Sequence, residues 1–355
     1  MLNRSSPIIS TPVLPPVIAT EDELEALLAE PSPHALAALQ TLESDLLILG
    51  VGGKMGPTLA RMAAQALQTI NSPYKAIAVA RFSQPALRTK LESWGVQTIA
   101  CDLLDRTALA TLPASRNVIF MAGQKFGTTG APSQTWAMNS YMPALVAERF
   151  ADARIVVFST GNVYPLTPVV QGGSVESDPP EPVGEYANSC LGRERIFEHF
   201  SLTRGLRCAI MRLNYAIDLR YGVLLDLALK VKQGRPVDLN MGAANVIWQG
   251  DANAQALALL AHCSSPAFVL NVTGPETVSV RRVAERFGVI FGVQPQFTGS
   301  EAPTALLNNA AKAQRLFGYP RVTLDQLIEW TAAWVNQDGA MLNKPTHFEA
   351  RDGRF

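Results

Sequence analysis

The stretch Asp45-Leu46-Leu47-Ile48-Leu49-Gly50-Val51-Gly52-Gly53-Lys54-Met55-Gly56 constrains this chain more than any other. An apolar run of strand length breaks into a glycine cluster, and Pro57 then opens an alanine-rich segment that reaches about Gln68 without an internal helix breaker. The predicted order is strand, tight turn, helix. Glycines suit such a turn where a pyrophosphate must approach bare backbone amides at a helix N-terminus, because a Cβ would intrude and the helix dipole favours negative charge. Pro57 fits the first helical turn, where a missing N–H costs nothing. A plain tight turn is the alternative for a glycine triplet standing alone. The flanking strand and helix favour a dinucleotide, held by Gly50, Gly52, Gly53, Lys54, Met55 and Gly56.

Beyond the turn, strand-like segments recur at Ala76 to Ala80, Thr98 to Ala100, Val118 to Met121, Ile155 to Phe158 and Ala209 to Leu213, with helical stretches between them. Strands alternating with helices predict an α/β fold with a doubly wound parallel sheet of Rossmann type, whose ligand lies outside the carboxyl ends of the strands. Residues 45–213 make that domain. Residues 214–340 are expected to build mainly a smaller C-terminal α/β substrate domain, with helices near Tyr221 to Lys232, Ser279 to Gly288 and Leu324 to Trp334, some segments returning to the sheet. Residues 1–44 form an N-terminal extension: a proline-broken arm, Met1 to Thr20, and two short amphipathic helices without evident chemistry. Residues 341–355 are a polar tail in which His347 is structural or exposed.

Thirty basic and thirty acidic side chains leave no net charge, which argues against nucleic acid or an anionic membrane as partner. Cys101, Cys190, Cys208 and Cys263 have no paired metal-ligand spacing, so reduced thiols in a cytoplasmic protein are expected and a metal site is not. No apolar run has membrane-spanning length.

Candidate site residues follow the strands. Arg81 and Ser83 stand where NAD-binding folds usually carry an acid, so NADP is favoured over NAD, with a solvated surface charge as the other reading of Arg81. Asp102 and Leu103 could meet the adenine edge, or Asp102 could cap a helix. Ala122 and Gly123 would let backbone pass close to the cofactor, and Lys125 adds a cation at a strand end. Thr160 places a hydroxyl at the same rim, although a Ser-Thr pair is commonly a turn or cap.

At these residues the chain resembles the extended short-chain dehydrogenase/reductase family, the NAD(P)-dependent sugar epimerases, dehydratases and reductases. Gly50, Gly53 and Gly56 match its fingerprint, and Ala122-Gly123-x-Lys125-x-Gly127 is similar to a stretch of UDP-galactose epimerases. Asn139 resembles the helix asparagine, Thr160 the hydroxyl that holds the substrate oxygen, and Tyr186 the catalytic tyrosine. The likeness continues through Met211-Arg212, Asp251, Asn271-Val272-Thr273-Gly274 and Phe317-Gly318-Tyr319-Pro320. It implies a homodimer formed through the helices carrying Asn139 and Tyr186.

Two departures stand out. Where the family has a lysine four residues after the tyrosine, on the same helix face, this chain has Cys190. That lysine pins the nicotinamide ribose and favours the phenolate; losing all such tuning costs roughly 4 kcal/mol. Lys125 or Arg193 could supply the missing field, and Cys190 is either part of a rebuilt site or a small buried hydrophobe. The second departure is the lack of the arginine that nucleotide-sugar members often carry near Ala244 to grip a diphosphate. The resemblance therefore implies an NAD(P)-dependent oxidoreductase or epimerase acting on a carbinol or ketone of a sugar, sugar acid or similar polyol. The alternative is a catalytically impaired dinucleotide-binding regulator or binding protein.

Overall fold

The computed structural model describes residues 14–125, 130–344 and 346–353. Gly127, the first part of the N-terminal arm and the last two tail residues lie outside them.

Seven strands form one parallel sheet: β1 (Leu46–Leu49), β2 (Ala76–Ala80), β3 (Gln97–Ala100), β4 (Asn117–Phe120), β5 (Arg154–Thr160), β6 (Arg207–Leu213) and β7 (Phe268–Val272). Their spatial order is 3-2-1-4-5-6-7. The chain thus reverses direction across the sheet between β1 and β4, which pair in parallel with Leu46 opposite Asn117. A switch of this kind opens a crevice at the carboxyl ends, where doubly wound sheets bind ligands. β1 and β4 are buried at every position because helices cover both sheet faces. The continuous apolar runs in the sequence reflect this.

The five strands expected after the first are all present, and β7 joins as a sixth neighbour at the β6 edge. β7 was not among the strands named from sequence, although segments beyond residue 213 were expected to return to the sheet. Between β6 and the tail, helices Val223–Lys232, Val280–Phe291 and Leu324–Asn336 pack around a second core that holds Trp248, Trp330, Phe287 and Phe348. Its strands are two-residue ladders such as Ala243–Ala244 against Val278–Ser279. Helix Gln249–Ala258 returns to the sheet, burying Ala252, Ala256 and Leu257 in its core.

The N-terminal extension does more than cover a surface. Helix Pro33–Leu39 sends Leu36 and Leu39 into the sheet core, whereas Ile18, Leu24 and Leu28 enter the second core. Glu25, on helix Glu21–Leu28, is buried and accepts from Arg220 at 2.9 Å and Lys90 at 2.7 Å. Arg220 also pairs with Asp218 at 3.1 Å. Arg220 is therefore buried and committed to two carboxylates, which a lone buried guanidinium would require.

Candidate active site at the carboxyl ends of the strands

The glycine turn has the shape that its sequence predicts. Gly50 has φ +92°, and a Cβ there would lie 2.5 Å from the Ala122 backbone at the end of β4. A Cβ at Gly56 would lie 2.1 Å from the Val51 carbonyl, so this glycine lets helix Gly56–Thr69 sit against the turn. Gly52 and Gly53 differ: a Cβ at either meets no protein atom closer than 3.8 Å, and both border a cavity of about 410 Å³. Bare backbone facing open space is what an approaching pyrophosphate needs. The residues therefore fit a dinucleotide.

Arg81, Ser83, Asp102, Leu103, Ala122 and Gly123 border the same cavity. Arg81 is exposed. Asp102 Oδ1 accepts from the Leu104 amide at 3.0 Å, a turn bond, whereas the cap of helix Arg106–Ala110 is Asp105 and not Asp102. Lys344, from the tail, borders this cavity as well.

A second cavity, of about 180 Å³, adjoins β5 and β6 and brings together Thr160, Tyr186, Lys125, Lys54, Asn214 and Thr346. The Tyr186 hydroxyl shares side-chain hydrogen bonds with Thr160 and Cys190. Lys125 Nζ lies 5.9 Å from the Tyr186 ring centroid. Burial pushes the Tyr186 phenol above its ordinary value, while Arg193 and the Thr160 bond pull it back. At neutral pH the phenol keeps its proton and is a hydrogen-bond donor. Burial lowers Lys125 to about 8. A larger cavity of about 490 Å³ lies behind the N-terminal extension, among Leu27, Trp248 and Phe317, away from these hydroxyls.

Three of the residues read as holding the cofactor, Lys54, Met55 and Asn139, do not border the cavity of the glycine turn. Lys54, expected at the cofactor, turns its side chain into the Tyr186 cavity with Met55; its ammonium donates to the Ala216 carbonyl at 2.6 Å. Asn139 borders neither cavity and is wholly buried. Cys190 is also buried, packed against Val163, Tyr164 and Tyr186, and burial pushes its thiol up. That is the setting of a packed hydrophobe, not of an activated nucleophile.

Asn139 is a brace. It lies in a π-turn, Ala137–Tyr141, between helices Pro132–Trp136 and Met142–Arg149. Its Nδ2 donates to the Gln124 carbonyl and to Ser189 Oγ, each at 2.9 Å, and its Oδ1 accepts from the Gln124 amide at 2.8 Å. The exit of β4 is thereby tied to helix Gly184–Arg204, which carries Tyr186. The remaining bond to Oδ1 comes from Arg193 Nη2 at 2.8 Å. Arg193 follows Cys190 by three residues, and helical side chains lean toward the N-terminus, so its guanidinium comes back toward the tyrosine. Nη1 donates to the Phe158 carbonyl at 2.6 Å.

Several residues of the sequence pattern prove structural. Arg212 forms a buried pair with Glu194 at 2.7 Å and donates to the Tyr164 hydroxyl at 2.6 Å, which in turn donates to Asn271 at 3.0 Å. Asp251 accepts from the Val322 amide at 3.1 Å, and burial raises its carboxyl to about 6. The tail was missed as part of the site. Thr346 is held to the Asp226 carboxylate and lines the Tyr186 cavity, Phe348 is fully buried, and Gly353 lies against Gly184, where a Cβ would come 2.4 Å from its carbonyl. His347 is exposed, as read.

A glycine turn at the first strand, a Thr hydroxyl at the end of β5 and a tyrosine on the following helix define the extended short-chain dehydrogenase/reductase class. Residues 46–220 match the model of the NAD dependent epimerase/dehydratase family. Among curated protein sequences, none matches it significantly. Solved structures share the fold at low identity. A UDP-glucuronic acid 4-epimerase from Bacillus cereus, solved with UDP-glucuronic acid and NAD, is 19% identical with a TM-score of 0.68, over 82% of this chain and 99% of its own. The dTDP-glucose 4,6-dehydratase DesIV from Streptomyces venezuelae is 19% identical with a TM-score of 0.68, over 83% and 97%. A UDP-glucose 4-epimerase from Thermotoga maritima is 16% identical with a TM-score of 0.65, over 83% and 99%. No helix among the described residues is long and apolar enough to cross a membrane.

Proposed function

We propose that this chain is an NAD(P)-dependent oxidoreductase or epimerase that acts on a carbinol or ketone of a sugar, sugar acid or similar polyol. The observation that carries the reading is the convergence of the Thr160 hydroxyl, the Tyr186 hydroxyl and the Lys125 ammonium on one cavity beside the glycine turn. When bound, the dinucleotide supplies a hydride acceptor and donor at its nicotinamide ring. Tyr186 exchanges the proton on the substrate oxygen, and Thr160 orients that oxygen. The Arg193 guanidinium takes over the electrostatic part of the missing lysine, because it is the positive charge that lowers the Tyr186 phenol. Arg81 and Ser83 support a preference for NADP.

A nucleotide-free substrate is supported by the buried Ala244, the commitment of Arg220 to Glu25 and Asp218, and the small volume beside Tyr186, about 180 Å³. The homodimer that the resemblance implies would use the helices bearing Asn139 and Tyr186, where Trp136 and Tyr141 are exposed. The test is Tyr186→Phe: turnover should fall by about a thousandfold while cofactor affinity stays within a few-fold. Turnover that survives this change removes Tyr186 from the reaction. The buried thiol one turn from Tyr186 favours a second reading, a dinucleotide-binding regulator that has lost turnover.

A further inference from the structure

We propose that the substrate carries a carboxylate and that Lys54 and Lys125 together hold it; this rests on the reading of Tyr186 and Thr160 as the reacting pair. Both ammonium groups enter the same cavity of about 180 Å³ as those hydroxyls. Lys54 leaves the glycine turn between Gly53 and Met55 and crosses the cleft to the opposite wall, where it meets the Ala216 carbonyl at 2.6 Å and lies 4.4 Å from the Tyr221 ring centroid. Lys125 enters from the end of β4.

The rest of the lining is neutral. Thr160, Asn162 and Asn214 bring a hydroxyl and amides, the Ser159 and Thr346 hydroxyls donate to Glu194 and Asp226, and Leu213, Ile217 and Val223 close the apolar side. Among the described residues no Asp or Glu borders the cavity. The acid that most favours the charged form of Lys54 is Asp218, whose carboxylate accepts from Arg220 Nη2 at 3.1 Å and from the Arg220 amide at 2.7 Å. Burial, with Lys125 adding to it, makes the Lys54 charge costly, and burial does the same for Lys125. An anion between them offsets that cost. The Thr160 hydroxyl and the amides around the pair suit a polyol chain bearing the carboxylate.

The cofactor diphosphate is the other anion that an ammonium beside the glycine turn could meet. The lysine side chain favours the substrate, since it borders the Tyr186 cavity and not the one framed by Gly50, Gly52, Gly53 and Arg81. The experiment separates the two. The full chain is saturated with NADH and titrated with glucuronate against glucose, and with galacturonate against galactose, following nicotinamide fluorescence. The wild type should bind each acid about tenfold or more tightly than its neutral partner, and Lys54→Met should bring the pair to near equality while NADH affinity changes less than about threefold. Equal response to acid and neutral sugar, including no response to either, overturns the proposal. So does a Lys54→Met variant that weakens NADH about tenfold and leaves the acid preference intact, because that assigns the lysine to the diphosphate. Should Lys54→Met fail to fold, Lys54→Gln gives the same comparison. Tyr186→Phe keeps the acid preference whatever its turnover, so failure of this inference and failure of the reaction reading are distinguishable.

Discussion

Arg193 donates to the side-chain oxygen of Asn139 at 2.8 Å, and this bond holds a guanidinium at a fixed place on the helix that carries Tyr186. The same Asn139 oxygen accepts from the Gln124 amide, so the cation is fixed relative to both the β4 exit and the Tyr186 helix. Arg193→Met should lower kcat by about a hundredfold with little change in KM, and should shift the alkaline limb of the pH profile upward, because the charge that lowers the phenol is gone. Arg193→Lys should recover part of both. A pH profile unchanged by Arg193→Met would reduce Arg193 to packing.

Gly123 is coupled to that guanidinium. A Cβ there would lie 2.4 Å from Arg193 Nη2 and 2.9 Å from Asn139 Oδ1. Gly123→Ala should therefore displace Arg193 and reproduce most of the Arg193→Met loss. In the double variant the two losses should not add, with a coupling of about 1 kcal/mol or more. Steady-state kinetics of the four forms measures it.

Much of this was legible beforehand, and the limits have physical causes. The glycine turn and the strands β1, β2 and β4 were readable because parallel strands buried on both faces show as uninterrupted apolar runs. The hydroxyl and phenol could be placed because the fold sends strand ends to one crevice. What a strand-and-helix reading cannot convey is the direction of a long side chain, and so Lys54 was assigned to the cofactor although its ammonium reaches Ala216, far along the chain. Arg193 was one of two candidate cations, and its bond to Asn139 lies outside what a linear sequence conveys. Nor does a polar tail announce that Phe348 and Thr346 are buried, since neither belongs to a periodic segment.

The tail should contribute to stability as well as to the site. Phe348 is fully buried in the second core, and Arg351 donates to the Thr304 carbonyl at 2.8 Å and the Thr304 hydroxyl at 2.7 Å. Phe348→Ala should cost about 3–5 kcal/mol, the range for emptying a buried aromatic site. Denaturant unfolding at constant slope reads this directly.

Cofactor choice can be tested at Arg81, which borders the cavity at the end of β2 together with Ser83, with Asp102 following the next strand. The chain should bind NADPH more tightly than NADH, and Arg81→Ala should cut that preference about tenfold by weakening only NADPH. Fluorescence titration with both cofactors decides it; equal affinities in the wild type contradict the assignment.

The pH dependence follows from the two lysines. Burial lowers both from 10.5 to about 8. They are charged below that pH and neutral above it, so affinity for acidic sugars should weaken as pH rises through about 8 while affinity for neutral sugars stays flat. The unfolded chain holds these protons up to about 10.5, so between 8 and 10.5 it binds more protons than the folded chain and stability should rise with pH. Titrations and melts across that interval check both signs.

Whether the site is rebuilt or decayed turns on residue 190. Cys190 is buried against Tyr186, and Arg193 already supplies positive charge three residues along the same helix. A second cation there would be buried and repelled. The most direct measurement is kcat/KM for wild type and Cys190→Lys side by side on a substrate found by screening sugars and sugar acids. A working, rebuilt site predicts a loss of about tenfold or more on introducing the lysine. A large gain would contradict this account and mark the chain as a dinucleotide-binding protein whose ancestral activity had lapsed.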